Sequence, residues 1–340
     1  MTGLKIGLLS FAHVHAASYL MHLLGRDDVE VLTSDPDGAA APDAGPRGAA
    51  FAAQFGAAYV DGYDDVFAWG PDAVVICAEN SRHLELVRLA ARHGVDVLCE
   101  KPLATTAADA EEIVRLVEES GIRLMTAFPV RFIPAFAALR EQIAAGAVGD
   151  VLSILGTNNG KIPIGDRAWF TDPELAGGGV LVDHVVHCAD LLDALLGVEP
   201  ESVRAVANTI LHADSGSRVE TGGLVTLVYP GGVIATIDCS WSQPSHAAVW
   251  GNVGLEITGT RGTLAFEGLS RSIQGTDADG AAWLPFGFDM DGAMIDHFLA
   301  AIRAGDQPQP DAGVGLRTTR IVAAALESAR SGQPVRVASS

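Results

Sequence analysis

Residues 73–99 read AVVICAENSRHLELVRLAARHGVDVLC, and this stretch decides the fold of the first part of the chain. Two apolar, β-branched runs at residues 73–77 and 95–99 flank a helical segment at residues 83–93. Both runs are nearly continuous apolar stretches, which is typical of parallel strands buried on both faces. The stretch therefore predicts a βαβ unit within a parallel sheet.

The same alternation of strand and helix continues on both sides of this unit. Further strands are predicted at residues 5–9, 29–32 and 123–127, and further helices at residues 15–24 and 107–119. Repeated units of this kind predict an α/β domain with a doubly wound parallel sheet over residues 1–127.

After residue 127 the regular alternation of predicted strands and helices ends. A helix over residues 134–145 is followed by a strand at 151–156, an irregular segment that contains Asn158 to Lys161, and a helix over 179–196. Strand-like runs then follow one another, separated by short turns that contain glycine, which favours antiparallel pairing. They lie at residues 202–207, 222–229, 233–240, 252–258 and 262–266, before closing helices at 294–304 and 317–331. Residues 128–340 are therefore predicted to form an α+β domain.

Composition excludes several classes of protein. Lys and Arg number 22 against 42 Asp and Glu, which gives a net charge of −20. This charge repels phosphate backbones and anionic lipid, so neither a nucleic acid nor a membrane surface is expected as a partner. Without an apolar stretch of about 18 residues or a secretory signal, the chain is expected to be cytoplasmic. The four cysteines, which stand singly in apolar segments, are expected to be buried thiols.

The turn after the first strand is where the phosphates of a dinucleotide would bind, on backbone amides and a helix N-terminus. Ser10, Ala12 and His15 occupy the three glycine positions of the usual G-x-G-x-x-G. Serine and alanine are small enough for close approach of a ligand, whereas a histidine cannot pack helix against strand as glycine does. Ser10, Phe11, Ala12 and His13 are predicted to contact the cofactor.

Asp35 follows the second predicted strand. An acidic side chain in this position accepts hydrogen bonds from the adenosine ribose and repels a 2′-phosphate, which favours NAD over NADP. A simple Asp-Pro turn is the alternative interpretation of this residue.

Lys101 stands in Glu100-Lys101-Pro102 at the end of a buried strand. Because ligands of open α/β sheets bind at the carboxyl ends of the strands, its ammonium is placed to stabilise a developing alkoxide or to hold a hydroxyl. A solvated surface lysine is the alternative.

Asp183 and His187 are four residues apart on the helix that follows the glycine run at 177–179, so they share a face. A carboxylate and an imidazole placed in this way form a candidate acid/base pair. A helix cap and a buried structural histidine are the alternative. His13, His15, His184 and His187 could also converge on a metal ion. However, an H-x-H pair at a helix start would direct its rings to different faces, so no metal is predicted.

These motifs together resemble the glucose-fructose oxidoreductase / inositol dehydrogenase family (Gfo/Idh/MocA). The resemblance rests on the order of several motifs along the chain. They are Asp35-Pro36-Asp37, Glu79-Asn80-Ser81-Arg82-His83 in place of T-P-N-x-x-H, Glu100-Lys101-Pro102, Arg131-Phe132, Trp169 to Gly179, Asp183-x-x-x-His187 and Gly259-Thr260-Arg261-Gly262.

The resemblance implies a Rossmann domain and a C-terminal domain with a large, mostly antiparallel sheet. It also implies homodimers or homotetramers assembled on that sheet, and NAD(P)-dependent oxidation or reduction of sugars and polyols. Asn80, His83, Glu100 and Lys101 are then expected to contact the cofactor. Arg131, Asn158, Lys161, Trp169 and His184 are expected to contact substrate.

The leading hypothesis is an NAD-dependent dehydrogenase of a sugar or cyclitol alcohol, in which His187 is the general base, Lys101 polarises the oxygen and Asp183 binds a neighbouring hydroxyl or orients His187. A second hypothesis is a glycoside lyase or hydrolase that recycles NAD without net redox change. A third is a sensor or scaffold that has lost cofactor binding.

Overall fold

The computed structural model describes residues 3–40, 46–163, 167–247, 249–269, 272–277, 280–285 and 287–337. The chain divides into two compact units. The first comprises residues 1–128, 163–177 and 291–319, and the second comprises residues 129–162, 178–290 and 320–340.

The first unit is built on a parallel six-stranded sheet in the order β3-β2-β1-β4-β5-β6. The strands are β1 (Leu4–Leu9), β2 (Val29–Ser34), β3 (Ala58–Tyr59), β4 (Ala73–Ile76), β5 (Asp96–Glu100) and β6 (Leu124–Ala127). The helices between them are α1 (Ala16–Leu24), α2 (Gly48–Phe55), α3 (Tyr63–Ala68), α4 (His83–His93) and α5 (Ala107–Ser120). The predicted doubly wound Rossmann sheet is confirmed.

The strand order reverses between β1 and β4, which are direct neighbours. Their carboxyl ends, Leu9 and Ile76, pair in register, and both side chains are completely buried. A crevice forms outside the carboxyl ends of strands at such a reversal, and open α/β sheets bind ligands there. The fold thus brings the segments after β1, β4 and β5 to one sheet edge.

The second unit contains a seven-stranded sheet in the order β12-β11-β7-β10-β9-β8-β15. Its strands are β7 (Val151–Lys161), β8 (Ser202–Asn208), β9 (Gly222–Val228), β10 (Ile234–Gln243), β11 (Gly251–Gly259), β12 (Gly262–Glu267) and β15 (Val335–Arg336). Only the pairing of β7 with β10 is parallel. The predicted mostly antiparallel sheet is therefore confirmed.

The remaining elements complete the described chain. They are α6 (Pro134–Ala144), α7 (Pro173–Ala176), α8 (Val180–Leu196), a two-stranded antiparallel ribbon of β13 (Ser272–Asp277) and β14 (Gly280–Pro285), α9 (Met290–Ala304) and α10 (Ala312–Ser331). Helix α10 begins earlier than predicted because Asp311 caps it, with its Oδ1 3.0 Å from the backbone nitrogen of Val314. None of the helices in the described ranges is long and apolar enough to cross a bilayer.

The segment from Asn158 to Lys161, predicted to be irregular, is part of the extended strand β7. Asparagine and glycine are poor strand formers, which is why composition suggested an irregular segment. Here Asn158 is buried, and its amide donates to the carbonyl oxygen of His184 on α8 at 3.1 Å. A buried amide with a hydrogen-bond partner is tolerated in a strand, so tertiary contact overrides local propensity.

The seven-stranded sheet has one covered and one open face. Helix α8 packs against β7, β9, β10 and β11. On the opposite face Leu155, Val206, Leu224 and Ile234 are each between 45% and 59% exposed. Val206 and Leu224 are cross-strand partners, so these apolar side chains form part of one surface.

Candidate active site

Ser10 adopts the left-handed backbone conformation that favours glycine, with a φ of 69°. Its hydroxyl accepts a hydrogen bond from the backbone nitrogen of Ala12 at 3.2 Å and lies 3.3 Å from Oδ1 of Asp35. The backbone nitrogen of His13 donates to the carbonyl oxygen of Cys77 at 2.9 Å. Ser10 therefore adopts a backbone conformation typical of glycine, and its side-chain hydrogen bond to Ala12 stabilises the turn.

Asp35, predicted to accept hydrogen bonds from ribose, is buried and bound by Arg47. The guanidinium lies 2.6 Å and 2.7 Å from the two carboxylate oxygens, and the backbone nitrogen of Gly48 donates at 2.9 Å. Burial by itself would raise the pKa of Asp35, but the hydrogen bonds and charge of Arg47 hold it below its ordinary value. Arg47 also lies 3.4 Å from Oε1 of Glu79. Sequence reasoning missed Arg47, because nothing in its local pattern identifies a partner twelve positions away.

Three buried polar atoms near the carboxyl ends of β2 and β4 have no hydrogen-bond partner among the described residues. They are Ser34 Oγ, Glu79 Oε2 and Asn80 Oδ1. Unpartnered buried polar atoms are costly, and a polar ligand that supplies hydroxyls and amides would satisfy them. The amide nitrogen of Asn80 donates to the carbonyl oxygen of Ala176 at 2.9 Å, which leaves the side-chain oxygen for such a ligand. These residues fit an adenine dinucleotide.

Glu100 and Lys101 follow one another at the carboxyl end of β5. The carboxylate of Glu100 is completely buried, and its Oε2 accepts a hydrogen bond from the backbone nitrogen of Lys101 at 3.0 Å. Lys101 is only 4% exposed. The alternative of a solvated surface lysine is therefore wrong.

His13 and His15 both face Glu100. Their Nδ1 atoms lie 3.6 Å and 2.9 Å from Oε1 of Glu100, and the ring centroids are 4.4 Å apart. The expectation that the H-x-H pair would split its rings between two faces is wrong, because both residues precede the first residue of α1, Ala16. The pair lies in a turn, where helical spacing does not apply. Burial would lower the pKa of His15, but the charge of Glu100 raises it.

Helix α8 carries the predicted acid/base pair. Oδ2 of Asp183 accepts a hydrogen bond from Nε1 of Trp241 at 3.3 Å and lies 3.3 Å from Nε2 of His184. Asp183 is buried, whereas His187 is partly exposed. Sequence reasoning missed Trp241, which lies on β10, far from α8 in sequence.

The start of α8 requires glycine at residue 179. A Cβ there would lie 2.1 Å from the carbonyl oxygen of Glu220. Oε1 of Glu220 accepts hydrogen bonds from the backbone nitrogens of Gly179 at 2.8 Å and Leu181 at 3.1 Å, which caps the helix. Burial raises the pKa of Glu220. Gly179 thus allows the backbone of Glu220 to pack closely against the start of α8.

Several residues expected to contact substrate are held by other protein groups. Nδ1 of His184 lies 2.9 Å from the carbonyl oxygen of Asn158. Arg131 forms a bidentate ion pair with Asp190, at 2.6 Å and 3.0 Å. Nε1 of Trp169 donates to the carbonyl oxygen of Ala12 at 2.9 Å. Contact of these residues with substrate stays a prediction.

The remaining predicted residues occupy three different environments. Phe11 is completely buried, with its ring centroid 4.5 Å from that of Phe51. His83 is completely buried, and its ring nitrogens lie 2.9 Å and 3.3 Å from the carbonyl oxygens of Pro102 and Ala78. Lys161, at the end of β7, is partly exposed.

All four cysteines are buried and unpaired, as expected.

Two protein-family models together match most of the chain. A family model described as the oxidoreductase family with an NAD-binding Rossmann fold matches residues 6–128. A second model, described as the GFO/IDH/MocA C-terminal domain, matches residues 136–265.

Curated relatives include enzymes of different chemistry. The trans-1,2-dihydrobenzene-1,2-diol dehydrogenase of Mus musculus is 34% identical over 247 residues, which are 68% of this chain and 71% of that protein. The 1,5-anhydro-D-fructose reductase of Ensifer adhaerens is 29% identical, over 78% of this chain and 80% of that protein. The 2,7-anhydro-N-acetylneuraminate hydratase of Escherichia coli K12 is 28% identical, over 59% of this chain and 55% of that protein.

Solved structures share the fold along nearly the whole chain. A levoglucosan dehydrogenase in complex with NADH and levoglucosan aligns with a TM-score of 0.81 at 21% identity, over 99% of this chain and 100% of that one. A myo-inositol dehydrogenase of Corynebacterium glutamicum aligns with a TM-score of 0.79 at 22% identity, over 99% of this chain and 100% of that one.

Proposed function

The chain belongs to the GFO/IDH/MocA oxidoreductase family, and from this premise we propose that it transfers a hydride between NAD and a secondary alcohol or ketone of a sugar, cyclitol or related polyol. The observation that carries the proposal is the buried Lys101 at the carboxyl end of β5. A cation buried at a strand end of an NAD-binding domain is suited to stabilise charge on an oxygen beside the dinucleotide.

The proposed cofactor contacts involve the turn from Ser10 to His13 and the polar groups that follow β2, β4 and β5. They are Ser10, Phe11, Ala12, His13, Asp35, Asn80, His83, Glu100 and Lys101. The dinucleotide supplies the hydride acceptor or donor at nicotinamide C4. The protein side chains bind and orient it, and hold or move the accompanying proton.

Each of the three proposed catalytic residues has a separate task. His187 takes the proton of the reacting hydroxyl, for which a neutral imidazole is suited near pH 7. Lys101 stabilises negative charge on the same oxygen. Asp183, held by Trp241, binds a neighbouring hydroxyl or orients His187.

We expect NADH to bind more tightly than NADPH. Arg47 pairs with Asp35, but its charge is already offset by Asp35 and Glu79. It therefore offers little attraction to a 2′-phosphate. Titration of the purified protein with each dinucleotide, followed by nicotinamide fluorescence, measures both dissociation constants. Equal or tighter binding of NADPH would contradict the assignment of Asp35 and Arg47, and binding of neither would overturn the proposed function.

Replacing His187 with Asn is expected to lower kcat by about 10²–10⁴-fold. In the unmodified enzyme kcat/KM should fall as the pH drops below the pKa of the base, because protonated imidazole cannot accept a proton. The variant should lose this acidic limb. The exposed His93 gives a matched control, His93→Asn, which should leave the pH profile unchanged. An unchanged profile in the His187 variant would remove His187 as the base.

A glycoside lyase or hydrolase that recycles NAD is the second candidate, favoured by the similarity to a hydratase. Oxidation of a sugar carbon acidifies the adjacent C–H, elimination or hydrolysis then releases the aglycone, and the hydride returns to the sugar. Release of an aglycone without accumulation of NADH would identify this activity. Stoichiometric NADH formation from a simple sugar or cyclitol would identify the dehydrogenase.

We also propose that the chain forms a homodimer or homotetramer through the open face of the seven-stranded sheet. Leu155, Val206, Leu224 and Ile234 leave four half-exposed apolar side chains on this face, and exposed apolar side chains gathered on one face favour a protein–protein contact. Light scattering after gel filtration should show an oligomer that Leu155→Arg/Leu224→Arg converts to a monomer. Val198→Arg is the control, at an exposed apolar residue after α8. This variant should form the same oligomer as the unmodified protein. A monomeric unmodified protein would contradict the proposal.

A further inference from the structure

His13, His15 and Glu100 bring three potential metal ligands together in the first unit. One ligand atom from each residue lies within 4.8 Å of the other two. Two imidazoles and one carboxylate are a common donor set for a divalent transition metal, with the remaining positions left to water or another ligand. We propose that these residues form a binding site for a divalent transition metal ion, a role that goes beyond the proposed hydride transfer.

The distances between the donors are close to those of a ligated ion. Ligands at about 2.0–2.2 Å from a tetrahedral zinc ion lie about 3.4 Å from one another. The Nδ1 atoms of His13 and His15 are 3.6 Å and 2.9 Å from Oε1 of Glu100. Both distances are therefore within about 0.5 Å of the separation that two ligands of one zinc ion have.

A neighbouring group orients the carboxylate. Oε2 of Glu100 is held by the backbone nitrogen of Lys101 at 3.0 Å, which leaves Oε1 directed at the two rings. A contact of this kind, to the carboxylate oxygen that does not face the rings, fixes the carboxylate orientation that a metal site needs.

The charge balance also favours a cation. Glu100 is completely buried, and a buried carboxylate requires cationic or hydrogen-bonding partners. A divalent ion between Glu100 and the two imidazoles would supply such a partner.

Nitrogen donors favour zinc, cobalt, nickel or iron over magnesium and calcium, which prefer oxygen. Zn²⁺ and Co²⁺ are therefore the probes. The full-length protein is stripped with a chelator, desalted and titrated with Co²⁺ by visible absorption and with Zn²⁺ by calorimetry. We expect a single high-affinity ion per chain, the d–d absorption of nitrogen-ligated Co²⁺ and a raised Tm with Zn²⁺.

Three single variants distinguish binding at this site from adventitious binding elsewhere on the protein. They are His13→Gln, His15→Gln and Glu100→Gln. Each should weaken Zn²⁺ binding at least about tenfold, whereas His246→Gln, at an exposed histidine, should bind as the unmodified protein does. His15→Gln is the decisive variant, because the side chain of His15 is 27% exposed and its replacement should be tolerated.

Two results would overturn the proposal. One is the absence of any Co²⁺ absorption in the unmodified protein, and the other is unchanged Zn²⁺ affinity in folded His15→Gln. Since the readout is metal binding and not turnover, the test does not depend on the dehydrogenase assignment. Repeating the titration with NADH present measures whether the ion and the dinucleotide compete at this sheet edge.

Discussion

Replacing Lys101 with Met is expected to lower kcat by about 10³-fold, while the dissociation constant of NADH changes by only a few-fold. Methionine preserves most of the length and apolar stem of lysine but removes the ammonium. If the ammonium stabilises charge on the reacting oxygen, its interaction is stronger in the transition state than with bound substrate, so kcat falls more than binding does.

The measurement uses steady-state kinetics with a substrate found by screening sugars and cyclitols, together with NADH fluorescence titration. Lys5→Met is a matched control, because Lys5 lies on β1, with Nζ 3.3 Å from the carbonyl oxygen of Trp69 and 5.0 Å from its ring centroid. This variant should retain its kcat. Full turnover in Lys101→Met would remove Lys101 from the catalytic machinery.

Replacing Arg47 with Met is expected to lower the free energy of unfolding by about 3–5 kcal/mol. The guanidinium makes two short contacts with the carboxylate of Asp35, and both side chains are almost completely buried. Removing the cation leaves a buried carboxylate without its principal partner. NADH binding should weaken as well, because the Asp35 side chain and the Ser10 turn lose a shared contact.

Urea unfolding at several pH values measures this effect and its sign. The pKa of Asp35 is lowered in the folded protein. Its contribution to stability is therefore present above the unfolded pKa, about 3.9, and is lost as the pH falls through the lower folded value. Without Arg47, Asp35 is more stable in its neutral form. The difference between the two proteins should thus be large near pH 7 and should narrow under acidic conditions.

Two further variants test the burial argument. Arg115→Met removes a cation that pairs with Glu112 and Glu119 on the surface of α5. The free energy of unfolding should therefore change little, because exposed ion pairs contribute little to stability. Arg47→Met combined with Asp35→Asn should recover part of the loss, because the unpaired charge is gone. A single Arg47→Met variant as stable as the unmodified protein would show that the ion pair is not a stabilising element.

Much of the architecture followed from local patterns. Continuous apolar runs such as residues 73–77 specify strands buried on both faces, whatever their neighbours are. The short glycine-containing turns between β9 and β10 and between β11 and β12 specify antiparallel pairing, because so short a connection cannot join parallel strands. Periodicity also places Lys101 at a strand end and Asp183 and His187 on one helix face, while their catalytic roles stay a prediction.

The sequence by itself determined the order of elements, the two kinds of sheet and the positions of the chemically capable side chains. Only the tertiary structure decided that Asp35 is bound by Arg47, that Asn158 continues a strand, and that His13 and His15 converge on Glu100. The physical reason is that each of these arrangements depends on contacts between segments far apart in the chain. Such contacts depend on burial and charge in the folded protein, and local periodicity cannot predict them because it reflects only residues that are near in sequence.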